Sequence, residues 1–201
     1  MAPEVDKQPK PPRFERLALI GVGLIGSSIA RATKRADLAA SIVGCARTPK
    51  TRDKALELGI VDAMYEAPAE AVAGADLVIV CSHLGSYVSV GKAMASSLAP
   101  GAIVTDVGSV KGCVARDLGP HIPDGVHLVP GHPVSGSEKS GPEAGFESLF
   151  DDRWWILTPG ETADEAAVTR LAAYVQALGS RVEIMAAERH DLGLAITFDC
   201  L

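Results

Sequence analysis

The chain has 201 residues, 47% hydrophobic and 22% charged, with a formal net charge of −6. That length holds one full domain, or one domain and part of a second, and can bury a sizeable core. The charges are spread without acidic or basic blocks and no apolar run reaches the length of a membrane span, so nothing points to a nucleic acid or a membrane as partner.

Residues 1–14 are rich in Pro and charge and lack an apolar segment; they read as a flexible tail, not a signal peptide. A strand is expected at Leu17–Ile20, followed at once by helix-compatible residues 27–36. Ser41–Ala46 reads as a second strand, Lys50–Leu58 as a helix stopped by Gly59, and Val61–Tyr65 as a weak strand. Asp76–Ser82 is a strong strand, apolar on both faces, as strands buried between two helix layers are. Val88–Leu98 is helical, Ala102–Asp106 is another buried strand, and a helix begins near Ser109. His127–Val129, Trp154–Leu157 and Val182–Met185 are short strands, with an amphipathic helix over Ala163–Leu178. The adjacent Trp154 and Trp155 should face opposite sides of their strand, one to the core. Cysteines 45, 81, 113 and 200 form no CxxC pair and read as reduced thiols of a cytoplasmic protein.

Gly21, Gly23 and Gly26 fall between the first strand and the first helix. Gly21 permits a tight turn, Gly23 removes a Cβ from the path of a pyrophosphate, and Gly26 allows close packing of helix on strand. Phosphates would then meet the free N–H groups at the positive end of the helix dipole, beside Leu24 and Ile25. With strands and helices alternating, the motif predicts an α/β, Rossmann-type doubly wound domain over residues 15–185, with a mostly parallel sheet that binds a dinucleotide.

An acidic residue at the end of the second strand would mark an NAD site. Ala46 stands there, followed by Arg47 and Thr48. Without that carboxylate a 2′-phosphate is tolerated and Arg47 could pair with it, so the cofactor is NAD or NADP with a slight lean to NADP. Arg47 is otherwise an ordinary surface charge.

Ligands of open α/β sheets lie outside the carboxyl ends of the strands. Three segments end there: Cys81–Leu84 with Ser82, Asp106–Lys111 with Ser109, and Pro130–Gly141. The third crowds a His, three Ser, a Glu and a Lys among glycines and prolines, which suits a small anionic substrate. His132 is either a proton acceptor for an alcohol that loses hydride or a cap for its turn. No histidine has the spaced partners of a metal site.

The succession GVGLIGSSIA, DVGSVK, GHPVSGSEKSG and WWILTP resembles the prephenate and arogenate dehydrogenases of tyrosine biosynthesis, from about Leu17 to Thr197. That resemblance implies oxidative decarboxylation of prephenate or arogenate with hydride transfer to NAD(P). It implies cofactor contacts from Gly21, Gly23, Leu24, Ile25, Gly26, Arg47, Thr48, Ser82 and Asp106. It makes His132 the group that assists hydride transfer at the ring hydroxyl and puts Ser109 between it and the nicotinamide. Ser137 and Glu138 would line the substrate mouth. Lys111 and Lys139 carry no definite role, and Lys111 serves equally as a cap for its helix.

Members of that family continue into an all-helical dimerisation domain whose first helix begins with His-Asp, here His190-Asp191. The segment after Thr197 does not match, so residues 186–201 are expected to be the start of a truncated helical domain, from a frameshifted or shortened reading frame or an edited sequence. The homodimer of the family is then doubtful, Leu192, Leu194 and Ile196 would be exposed, and little turnover is expected from this chain alone. The alternatives are a non-catalytic dinucleotide-binding fragment and a hydroxyacid-type dehydrogenase.

Overall fold

The computed structural model describes residues 11–136 and 138–199. In chain order the elements are β1 (Phe14–Ile20), α1 (Leu24–Arg35), β2 (Ala39–Cys45), α2 (Pro49–Glu57), β3 (Ala63–Tyr65), α3 (Pro68–Val72), β4 (Leu77–Val80), α4 (Tyr87–Met94), β5 (Ile103–Asp106), α5 (Lys111–Asp117), β6 (His127–Leu128), β7 (Gly131–Pro133), β8 (Trp154–Leu157), α6 (Glu165–Ala177), β9 (Arg181–Ile184) and α7 (Ala187–Asp199).

The first six strands form one parallel sheet in the order β3-β2-β1-β4-β5-β6. Alternation along the strands divides the core. Leu17, Leu19, Leu77, Ile79 and Ile103 pack on one face of the sheet, while Ala18, Ile20, Val78, Val80 and Val104 pack on the other. All four residues of β4 are fully buried, as its uninterrupted apolar run requires. The strand order reverses between β1 and β4, so their carboxyl ends open a crevice where ligands of such sheets sit. The register Ile20↔Cys45, Ile20↔Val80 and Val80↔Asp106 brings Gly21, Ala46, Cys81 and Val107 to that edge together.

Several elements differ from their sequence expectation. β1 starts at Phe14, which is fully buried and donates its N–H to the Leu38 carbonyl, so the last residue of the expected tail belongs to the sheet. α4 closes at Met94 and tightens into a 3₁₀ turn at Ala95–Ser97. α5 starts at Lys111, not near Ser109, because Gly108, Ser109 and Val110 form a loop. The short α3 and β7 carry no periodic signal of their own. β7 pairs antiparallel with β8, and β8 pairs parallel with β9, which makes a second sheet separate from the first. In it Trp155 is fully buried and Trp154 is exposed. The two sheets share one apolar core through Phe150, Trp155, Leu157 and the α6 residues Leu171, Tyr174 and Val175.

Among the described residues no helix is long and apolar enough to cross a membrane. Cys45, Cys81 and Cys113 are free thiols, and Cys200 lies outside the described residues. Leu192 is 65% exposed on α7, whereas the side chains of Leu194 and Ile196 lie outside the description.

Candidate active site

A groove of about 1100 Å³ follows the carboxyl edge of β1, β2 and β4. Gly21, Gly23, Leu24, Ile25, Arg47, Thr48 and Ser82 line it, and Lys139, Ser140, Gly141 and Pro142 close its other side. The three glycines do different work. Gly21 has φ +108°, and a Cβ there would stand 2.8 Å from the Cys81 carbonyl oxygen. A Cβ on Gly26 would run into the carbonyl of Gly21, so Gly26 is the contact between helix and turn and lies behind the groove. Gly23 has an ordinary φ of −92° and nothing of the chain within 4 Å of a Cβ. Its bareness leaves room at the first turn of α1, where Gly23 is the N-cap, no side chain caps the helix and no acidic residue follows. A free helix N-terminus beside a bare backbone fits a pyrophosphate.

At the far end of the groove Arg47 is exposed and lines the wall. Arg52 holds the loop by donating to the carbonyls of Ala46 and Arg47 at 2.8 and 2.9 Å. The Thr48 hydroxyl donates to Thr51 Oγ1 at 2.8 Å and accepts from the Thr51 N–H, so its side chain is committed to capping α2. Ser82 Oγ accepts from Ser86 Oγ at 2.9 Å.

Asp106, expected as a cofactor contact, turns its side chain inward: its carboxylate is fully buried and engaged inside the protein and does not line the groove. Oδ2 accepts from Tyr87 Oη at 3.0 Å, from the Gly108 N–H at 2.7 Å and from Lys111 Nζ at 2.7 Å; Oδ1 accepts from the Gly131 N–H at 3.1 Å. Lys111, also fully buried, spends a second donor on the Gly131 carbonyl at 2.5 Å. Burial lowers the Lys111 pKa, an effect that Asp106 opposes, and burial beside Asp106 raises that of Tyr87. A charged pair withdrawn from water thus clamps both backbone groups of Gly131, the residue before His132. Lys111 is neither a simple helix cap nor a ligand group. It fixes the backbone of the candidate catalytic histidine.

The same carboxylate ties the Gly108–Val110 loop, and with it Ser109, to the strand that carries His132. Ser109 is exposed there, and no hydrogen bond joins it to His132 among the described residues. Glu138 is exposed, and Ser137 lies outside the described residues. Two site residues went unassigned in the sequence. His132 Nδ1 lies 2.9 Å from His190 Nε2, and His190 Nδ1 lies 2.8 Å from Asp191 Oδ1. The only signal for them was the His-Asp pair at the head of the last helix. Among the described residues no cluster of three His, Cys, Asp or Glu could hold a metal ion.

The His132 pKa falls from the ordinary 6.5 to about 4, first because the ring is buried, then because Lys111 and His190 oppose a positive charge; Asp191 pulls the other way. A depressed histidine pKa means that the unfolded chain takes up the proton first. The contribution of His132 to stability is therefore complete above pH 6.5 and is lost as pH falls towards 4. Denaturation midpoints measured across that window should fall less steeply with acid for His132→Asn than for the parent chain; parallel slopes would count against the buried neutral ring.

The sheet order, the switch-point groove and the glycine turn define the class: a nucleotide-binding domain of the Rossmann type. The family described as prephenate dehydrogenase, nucleotide-binding domain, matches residues 29–184. The chain belongs to that family. It is 40% identical over 186 residues to the cyclohexadienyl dehydrogenase of Zymomonas mobilis, covering 92% of this chain and 62% of that protein. Among solved structures it is similar to the Aquifex aeolicus prephenate dehydrogenase in complex with hydroxyphenyl propionate and NAD+, with TM-score 0.83 and 29% identity over 92% of this chain and 68% of that one. It is also similar to the Synechocystis arogenate dehydrogenase, with TM-score 0.82 and 27% identity over 90% of this chain and 63% of that one. The chain spans 62% of the Zymomonas protein and 47–48% of the other curated relatives it matches.

Proposed function

We propose that this chain carries the cofactor half and the proton-accepting histidine of an NAD(P)-dependent dehydrogenase that oxidatively decarboxylates prephenate, arogenate or both. The observation that carries the reading is His132: a half-buried neutral imidazole, its backbone clamped by a buried ion pair, on a strand tied to the loop beside the dinucleotide groove. The Z. mobilis and A. aeolicus proteins lend the substrate class, and the Synechocystis protein lends arogenate.

The groove fits the cofactor. Gly21–Ile25 would hold the pyrophosphate and Arg47 the adenine-ribose end, where NADP keeps its slight advantage because no carboxylate stands at Ala46. Ser82 lines the same wall. When bound, the nicotinamide supplies the hydride acceptor. His132 takes the proton of the ring hydroxyl as that carbon becomes a carbonyl, and Nε2 is the free nitrogen because Nδ1 faces His190. Loss of the ring carboxylate as CO2 pushes its electron pair onto that carbonyl oxygen as an aromatic phenolate, which regains the proton from His132. The resemblance would give Ser109 a place beside the nicotinamide and Glu138 one on the substrate side, both being exposed, while Ser137 lies outside the described residues. We further propose a cytoplasmic setting, consistent with the free thiols, and a homodimer in which the exposed Leu192 face of α7 is covered.

The test pairs two measurements. Titration with NADH and with NADPH, followed by nicotinamide fluorescence, reads cofactor binding. Turnover of prephenate and arogenate by the parent and by His132→Asn reads catalysis. Unchanged cofactor affinity with turnover lowered by roughly 10²–10⁴-fold is expected of the variant. Equal turnover by parent and variant would remove His132 from the mechanism. A second reading, cofactor binding without turnover, is favoured by the family match, which is to the nucleotide-binding domain; it predicts binding by both proteins and turnover by neither.

A further inference from the structure

His132 does not stand alone against its substrate face. Its Nδ1 meets Nε2 of His190 at 2.9 Å, the two rings lying edge to face with centroids 5.1 Å apart. His190 is only 2% exposed, so water does not compete for that contact. Beyond it, Asp191 Oδ1 receives His190 Nδ1 at 2.8 Å. Asp191 is itself held in place: its Oδ1 and Oδ2 accept the N–H groups of Lys111 and Gly112 at 2.8 and 2.9 Å, in the first turn of α5. Those donors, with His190, keep its pKa below the ordinary carboxylate value against the opposing effect of burial.

The direction of each hydrogen bond follows. An ionised carboxylate only accepts, so His190 Nδ1 carries the hydrogen. With its one ring hydrogen on Nδ1, His190 presents a bare Nε2, which can only accept. The hydrogen between the two rings therefore sits on His132 Nδ1, and the lone pair of His132 is left on Nε2, the nitrogen that no other side chain engages among the described residues. We infer that His190 and Asp191 are positioning residues that lock His132 in its Nδ1–H tautomer, with Nε2 open as the proton acceptor. The inference rests on His132 having the role proposed above. It gives that role a cause in residues 58 positions away. The charged and titratable groups that face His132 are Lys111, His190 and Asp191. Lys111 disfavours an imidazolium there, and Asp191 favours it through His190. When His132 takes a proton at Nε2, the developing charge meets an ordered carboxylate one ring away. The arrangement parallels the logic of an Asp-oriented histidine base, in which the wrong tautomer is inactive.

Imidazole nitrogen chemical shifts, measured on the ¹⁵N-labelled chain at pH 7 with no substrate, test the tautomer directly. The Nδ1–H form of His132 is expected in the parent. His190→Leu removes the acceptor and should move His132 towards the Nε2–H form that free imidazole prefers. His190→Gln offers a side-chain carbonyl in the same direction and should restore the parent pattern. In the turnover assay His190→Leu should lose roughly 10–100-fold in kcat with KM little changed, and His190→Gln should recover most of it. An Nε2–H signal for His132 in the parent overturns the inference, as does a tautomer that ignores His190→Leu. The spectra need no turnover, so the two readings fail separately. An Nδ1–H signal in a chain without turnover upholds the tautomer lock and counts against the activity. An Nε2–H signal in an active chain does the reverse.

Discussion

Lys111→Met is expected to lower the unfolding free energy by about 3–5 kcal/mol, the usual cost of removing one partner from a buried ion pair. The methionine fills nearly the same volume, so cavity formation is not the cause. The loss comes from the Asp106 carboxylate, which stays fully buried with only Tyr87 Oη and the N–H groups of Gly108 and Gly131 against its charge. The Gly131 carbonyl also loses its donor. Denaturant unfolding at pH 7 reads the effect. Adding Asp106→Asn should recover part of the loss, because the amide keeps an acceptor for the backbone N–H groups and carries no charge to strand. A Lys111→Met chain within about 1 kcal/mol of the parent would mean the pair contributes little. The clamp also predicts a functional consequence, since His132 follows the residue that both charges hold.

Gly23→Ala and Gly26→Ala should separate two jobs that lie three residues apart. At Gly23 the backbone is ordinary and a methyl group meets nothing of the chain, so stability should change by less than about 1 kcal/mol, the scale of an N-cap exchange. The methyl group would project into the groove at the head of α1, and affinity for NADH should fall by roughly 10–100-fold, or about 1.4–2.8 kcal/mol. At Gly26 the methyl group meets the Gly21 carbonyl, a rigid backbone atom, and α1 must part from the turn. That variant should lose both stability and cofactor affinity. Melting temperature and nicotinamide fluorescence, measured on both variants, check the contrast. If Gly23→Ala binds NADH as the parent does, the pyrophosphate is not where the bare backbone leaves space for it.

Much of the architecture was legible because its causes are local. LALI, DLVIVCS and AIVTD announce buried parallel strands by unbroken apolar runs, and they became β1, β4 and β5. The glycine spacing announces the turn because a Cβ at Gly21 or Gly26 would collide with backbone only a few residues away or on the adjoining strand. The tryptophan pair sorted itself by strand alternation alone. β7 stayed hidden: its three residues, ending in proline, form a strand only because β8 supplies the partner. The inward engagement of Asp106 stayed hidden for a related reason. At the end of β5 the residue has the look of a ligand group, and nothing nearby in the chain says that Gly131, 25 residues on, will turn back to take its second oxygen.

The amino-acid order therefore suffices for the parallel sheet and the dinucleotide groove, which depend on side-chain period and on glycine sterics, and it leaves His132 open between proton acceptor and turn cap until the family resemblance is added. The environment of His132 came only with the closed fold. The Asp106–Lys111 clamp on Gly131 and the Asp191–His190 hold on His132 join groups from four elements, up to 80 residues apart. Burial gives those bonds their strength, since water would otherwise compete for every donor and acceptor in them.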